Sequence, residues 1–239
     1  MRKTSLKTFG VLVVLCQINV FAHAYEPKAK KTMATEGKRD NSDKKLEGDG
    51  KTSTAVKNTY DYHLAGPDGK DIPLADFKDK VILVVNLARN SSYHSQLPAL
   101  IKLSEIYKDK GLVVIGVPSN DFGGEEPGTD AEIQQIYKSD DKVPFPVMAR
   151  STLVGEEEIP FYQYLTKGKG ALPGGDVHWN YTKFLIDRHG KVIVRFSQDV
   201  APDSAEMLAT LDEIFAGTYN PKKKEQTGQS ASDEDDGRI

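Results

Sequence analysis

Apolar positions along this chain fall into short blocks separated by glycine, proline and charged residues, and the period changes from block to block. Val81 to Leu87 is a nearly unbroken run of β-branched residues and leucine, the pattern of a strand covered on both faces. Leu112 to Val117 repeats it. Between them, from about Ser95, the apolar positions Leu97, Leu100, Ile101, Ile106 and Tyr107 recur at helical spacing. Pro98 is tolerable in the first turn of such a helix, and Gly111 stops it. Strand, helix, strand in that order predicts a parallel βαβ unit.

The flanking blocks complete the picture. Tyr60 to Leu64 and Ile72 to Leu74, joined by Gly66-Pro67-Asp68-Gly69, predict an opening hairpin. Thr129 with Glu132 forms a capping box that starts a helix through Ile133, Ile136 and Tyr137. Pro144 to Met148 reads as a short strand and Pro160 to Leu165 as a short helix. Thr182 to Ile186 and Val192 to Phe196, linked by Asp187-Arg188-His189-Gly190, predict an antiparallel hairpin. Asp203 with Glu206 opens a last helix whose stripe of Met207, Leu208, Leu211, Ile214 and Phe215 ends at Gly217. The order predicts an α/β domain over 59–217, with a mixed central sheet, parallel strands in its middle and helices on both faces.

Both ends differ in kind. Residues 1–24 have a basic start (Arg2, Lys3, Lys7), an apolar run from Phe9 to Phe21 and the small-x-small signal Ala22-His23-Ala24, which reads as a secretory signal peptide. The run is too short, and too interrupted by Gln17 and Asn19, for a membrane span. Residues 25–58 are hydrophilic and lack large apolar side chains, as a flexible linker does. Residues 218–239 return to that composition, with Lys222 to Lys224 followed by Asp233 to Asp236. An exported chain enters an oxidising compartment, so the expected location is extracellular. The 239 residues include a single cysteine, Cys16, and it lies in the leader. The formal net charge of −3 argues against nucleic acid as a partner.

Three segments resemble the glutathione peroxidase family, in the family's order. Val84-Val85-Asn86-Leu87-Ala88-Arg89-Asn90-Ser91-Ser92-Tyr93 is similar to N-V-A-S-x-C-G-[FY]. Gly116-Val117-Pro118-Ser119-Asn120-Asp121-Phe122-Gly123-Gly124-Glu125-Glu126-Pro127-Gly128 is similar to G-F-P-C-N-Q-F-G-x-Q-E-P-G. Trp179-Asn180-Tyr181-Thr182-Lys183-Phe184-Leu185-Ile186-Asp187 is similar to W-N-F-T-K-F-L-[IV]-D. The resemblance implies a thioredoxin-like fold and reduction of hydroperoxides with glutathione or thioredoxin as donor. It also implies a monomer, because the stretch between Leu165 and Trp179 is short. The family's catalytic Cys or selenocysteine, Gln, Trp and Asn fall on Ser91, Glu125, Trp179 and Asn180. The further cysteines of some members fall near Ser119 and Tyr137, neither of which is a thiol.

Peroxide reduction needs an anionic nucleophile that takes up oxygen and gives it back. A serine hydroxyl is not ionised near neutral pH, and an ionised Glu125 accepts hydrogen bonds where the family's Gln donates one. The resemblance therefore implies a catalytically degenerate homologue with a binding or structural role. Two alternatives stay open: an active antioxidant peroxidase, if position 91 is really Cys or selenocysteine or another group does its work, and a hydrolase using Ser91 with His94 or His178 as base and Glu125 as its orienter. Ser91 also suits a helix N-cap. His63, His94, His178 and His189 show no ligand spacing, so neither metal nor cofactor is expected. Asn90-Ser91-Ser92 and Asn180-Tyr181-Thr182 match the N-glycosylation pattern; Asn180 is expected to be too buried for a glycan, while one on Asn90 would cover the pocket mouth.

Overall fold

The computed structural model describes residues 58–168, 172 and 175–221. The expected leader, nearly all of the expected linker and the charged residues from 222 onward lie outside the described residues. Six strands and four α-helices make up the rest: β1 (His63–Ala65), β2 (Asp71–Pro73), β3 (Val81–Leu87), α1 (Leu97–Tyr107), β4 (Leu112–Pro118), α2 (Asp130–Gln135), α3 (Pro160–Lys167), β5 (Lys183–Ile186), β6 (Val192–Phe196) and α4 (Ala205–Ala216). β1 and β2 form a separate hairpin, and the main sheet has the order β4-β3-β5-β6. β3 runs parallel to β4 and antiparallel to β5, so the sheet is mixed as expected.

β3 is apolar at every position but Asn86 because both of its faces are covered. Val81, Leu83, Val85 and Leu87 join one core layer with Leu97, Leu100, Leu103 and Tyr107 of α1, Ile133 of α2 and Met207 and Leu211 of α4. Ile82 and Val84 point into the other layer, with Phe161, Tyr162 and Leu165 of α3 and with Phe184 and Ile186 of β5. Alternation along a strand sends successive side chains to opposite faces, so a strand between two helical layers shows no polar beat.

The structure corrects several expectations. Pro144 to Met148 is not a strand: only Val147 bridges to Gly116, through Gly116 N–H to Pro146 O (2.9 Å) and Met148 N–H to Gly116 O (2.9 Å). Pro144 and Pro146 have no N–H to give, which limits the pairing to that one bridge. Tyr60 is not in the first strand. Asn58 accepts from Tyr60 N–H and Asp61 accepts from Asn58 N–H, and this box turns Thr59–Asp61 into a 3-10 helix. Ile106 is exposed, and Leu103 instead carries the buried stripe of α1. Past Gly217 the chain still meets the sheet, with Tyr219 Oη donating to Ile193 O of β6 (3.2 Å).

The last helix shows how finely caps decide. Gly217 takes φ 71°, a left-handed conformation that costs glycine nothing and lets its N–H close on Ile214 O. At the other end the N-cap is Ser204 rather than Asp203: its Oγ accepts from Met207 N–H (3.2 Å). We expect Ser204→Ala to cost about 1 kcal/mol in urea denaturation and Asp203→Ala to stay within about 0.5 kcal/mol. Equal losses at the two positions would refute this assignment of the cap.

Candidate functional site

Three loops converge at one end of the main sheet, where β3 and β4 finish and β5 begins. Asn86, fully buried near the end of β3, organises the segment before β5. Its carbonyl accepts from Tyr181 N–H (2.8 Å), its N–H donates to Thr182 O (3.3 Å) and its Nδ2 donates to Trp179 O (3.2 Å). Thr182 Oγ1 adds a second bond to the same Trp179 carbonyl. These contacts hold Tyr181 at φ 65°, a backbone region that a residue with a side chain rarely takes.

That turn presents Trp179 and Asn180 to the loop after β4. Asn180 is buried, and its Nδ2 donates to Phe122 O (3.1 Å) and to Glu125 Oε2 (2.7 Å). Trp179 is 36 % exposed. A side chain starting at Gly123 would meet Glu125 Cγ at 3.4 Å and Trp179 Cη2 at 3.5 Å, so the carboxylate stem and the indole edge lie against one glycine. Gly123 takes φ 71°, a left-handed conformation that favours glycine.

Ser91 joins this group through the backbone. Asn90 N–H donates to Glu125 O (3.0 Å), which ties the loop after β3 to the loop after β4. Ser91 Oγ accepts from Tyr93 N–H at 3.4 Å and caps the 3-10 helix Ser92–Gln96 that leads into α1. The structure thus brings Glu125, Asn180 and Trp179 into one cluster with Ser91 beside it. The hydrolase arrangement is not assembled. His94 Nδ1 pairs with Tyr181 Oη (3.0 Å) and its Nε2 faces Asp141 Oδ2 (3.9 Å), while Glu125 is engaged by Asn180 rather than by a histidine. His178 is exposed, as is Asn90, whereas Asn180 of the other glycosylation pattern is buried. Among the described residues no group of three His, Cys, Asp or Glu is arranged to hold a metal.

Two buried charges went unmarked in the sequence. Glu126 is fully buried; its Oε2 accepts from Arg89 N–H (2.7 Å) and from Tyr137 Oη (2.8 Å), and its Oε1 lies 3.5 Å from the Arg89 guanidinium. Burial pushes its carboxyl above the usual carboxylate range, opposed by the bonds from Tyr137 and Arg89. The same burial, with the Glu126 charge, pushes the Tyr137 phenol up. The guanidinium also reaches Pro127 O, clamping the loop that carries Glu125. Lys183, in β5, is buried too, with Nζ donating to Tyr181 O (2.9 Å) and Val200 O (2.7 Å). No signal in a single sequence reveals such pairs, because the partners are brought together only by the fold.

This arrangement defines a thioredoxin-like α/β protein, and the comparisons with known proteins agree. The crystal structure of T. cruzi GPX1 superposes with a TM-score of 0.54 at 29 % identity, covering 69 % of this chain and 100 % of that one. Residues 59–166 match the family model described as glutathione peroxidase. A glutathione peroxidase of Lactococcus lactis is 39 % identical over 62 % of this chain and 95 % of its own length. A probable phospholipid hydroperoxide glutathione peroxidase of Mesembryanthemum crystallinum is 39 % identical over 63 % of this chain and 89 % of its own length. The chain belongs to the glutathione peroxidase family.

Burial drives the Lys183 ammonium down to about 7. The unfolded chain, with an ordinary lysine near 10.4, therefore binds a proton more readily between about pH 7 and 10.4, and stability rises with pH across that window. The full penalty of the buried charge is present below about pH 7. Guanidinium denaturation at pH 7 and pH 9 should show a stability gain of up to about 1.4 kcal/mol per pH unit that is missing in Lys183→Met. The same pH slope in parent and variant would rule out Lys183 as its source.

Proposed function

We propose that this chain is an exported, monomeric glutathione peroxidase homologue that does not turn over hydroperoxides and acts by binding. The observation that carries the reading is the oxygen at position 91. Ser91 stands where the family motif has its nucleophile, and the single cysteine, Cys16, lies in the expected leader. A neutral alcohol cannot attack a peroxide bond as an anion, nor pass the oxygen on to a thiol donor. Glutathione or thioredoxin, the donors the resemblance implies, have no oxidised sulfur to reduce here.

The setting of Glu125 supports the same reading. The family's Gln at this position donates a hydrogen bond; a carboxylate only accepts, and here it accepts from Asn180 Nδ2. Two groups that would serve an anionic transition state are replaced together, while the frame of Asn86, Asn180 and Trp179 around them is intact. The leader supports export. Among the described residues no helix is long and apolar enough to cross a membrane.

Purified protein mixed with hydrogen peroxide or a lipid hydroperoxide, and with glutathione or thioredoxin, should consume peroxide no faster than the protein-free control. Ser91→Cys combined with Glu125→Gln should restore turnover, and Ser91→Cys alone should fall short of the pair by roughly 10²-fold, the cost of one preorganised donor. Catalytic consumption by the unaltered protein would overturn the proposal.

A further inference from the structure

We propose that Glu125, Asn180 and Trp179 form a receptor for a primary ammonium group, an inference that rests on the reading of this chain as a binding protein and gives that binding a chemistry. Three observations carry it. The first is an unpaired charge. Among the described residues, ion pairs neutralise the buried carboxylates of Glu126, by Arg89, and of Glu158, by Lys167, but no lysine, arginine or histidine pairs with Glu125. Glu125 is only half-buried, so its charge is available at the surface.

The second observation is the aromatic face beside it. Trp179 is among the few exposed large hydrophobic side chains, and it lies against the same glycine as the Glu125 stem. A cation over an indole face is attracted by the ring quadrupole, and an adjacent carboxylate adds its own charge to the same spot. The neighbouring Gly124 has nothing within 4 Å of the position a Cβ would take, so the loop leaves open space at the rim.

The third observation sets the shape of the cation. Asn180 Nδ2 already donates to Glu125 Oε2 at 2.7 Å, and Asn180 is itself fully buried and held by Phe122 O, so one of the two acceptor positions of that oxygen is taken. The other oxygen, Oε1, has both of its acceptor positions open. A guanidinium gains most from two parallel bonds to both oxygens and must share the second one with the Asn180 amide. A quaternary ammonium has no N–H to donate. A primary ammonium, a compact charge with three donors, satisfies Oε1 with one bond while its charge lies over the indole. A free alkylamine and a lysine side chain on a peptide share this chemistry.

The chain contains a single tryptophan, so its intrinsic emission reports this site directly. Titration of the full-length protein with n-butylammonium and, separately, with Nα-acetyl-lysine methylamide should change that emission saturably; a response to the first alone identifies a free amine, and a response to both admits a peptide lysine. Butylguanidinium and tetramethylammonium should bind more weakly, and butyrate and potassium chloride should give no saturable change. Glu125→Gln keeps the acceptor for Asn180 and removes the charge, and it should weaken butylammonium by at least about tenfold. Calorimetry on Trp179→Phe and Trp179→Ala reads the aromatic contribution without the reporter, with the alanine variant the weaker of the two. An emission that butylammonium leaves unchanged, or an affinity unaffected by Glu125→Gln in a variant with the parent circular dichroism, overturns the receptor. Peroxide turnover measured on the same preparation speaks only to the reading beneath it, so the two failures are told apart.

Discussion

The site depends on one buried asparagine in the sheet. Asn86 gives its carbonyl, its N–H and its side-chain Nδ2 to three successive parts of the segment Trp179 to Thr182. A left-handed backbone at a residue other than glycine costs about 1–3 kcal/mol and persists only where its surroundings over-determine it. Tyr181 is such a residue, and what surrounds it does so: Asn86 takes its N–H, Lys183 Nζ takes its carbonyl and His94 takes its hydroxyl. With that turn set, Trp179 faces the rim and Asn180 faces Glu125. Neither position is chosen by its own local propensity.

Two adjacent glutamates show how the fold assigns opposite roles to identical side chains. Glu126 turns inward to Arg89 and Tyr137 and is buried, and its work is to tie the loops after β3 and β4 together. Glu125 turns toward Asn180 and the rim. Removing one partner of a buried ionic cluster leaves an uncompensated charge inside the protein, so the Glu126 group acts as a rigid support. The Glu125 carboxylate beside it stays half-buried at the rim, as the proposed receptor requires.

Legibility in the sequence followed the range of the interactions. β3, β4 and the capping box at Thr129 were readable because an apolar run, or a Thr and a Glu three residues apart, contains its whole cause. The expected strand at Pro144 does not form, because its apolar side chains cannot replace the N–H groups that Pro144 and Pro146 lack. Ile106 was misplaced because helical spacing alone does not say which of two overlapping stripes meets the sheet. Ser91, Glu125, Trp179 and Asn180 are singled out only by resemblance to a family's motifs, and the fold brings the last three together. Arg89, Glu126 and Lys183 were not readable, since the partners of each are set by the fold, and a lysine in a β-run looks the same whether it is exposed or sealed beneath a turn.

Serine at position 91 is compatible with this fold on simple physical grounds. The two core layers, on either face of β3, are built from aliphatic and aromatic side chains and draw nothing from the side chain at position 91. What that position owes the fold is an acceptor at the start of the segment leading into α1, where the first N–H groups of a helix have no internal partner. Serine is among the preferred residues there, and Ser91 Oγ faces Tyr93 N–H. Sulfur is a weak acceptor. On the function proposed above, exchange of sulfur for oxygen at this spot removes a nucleophile and improves a cap, and a scaffold kept for binding meets no further demand from peroxide chemistry.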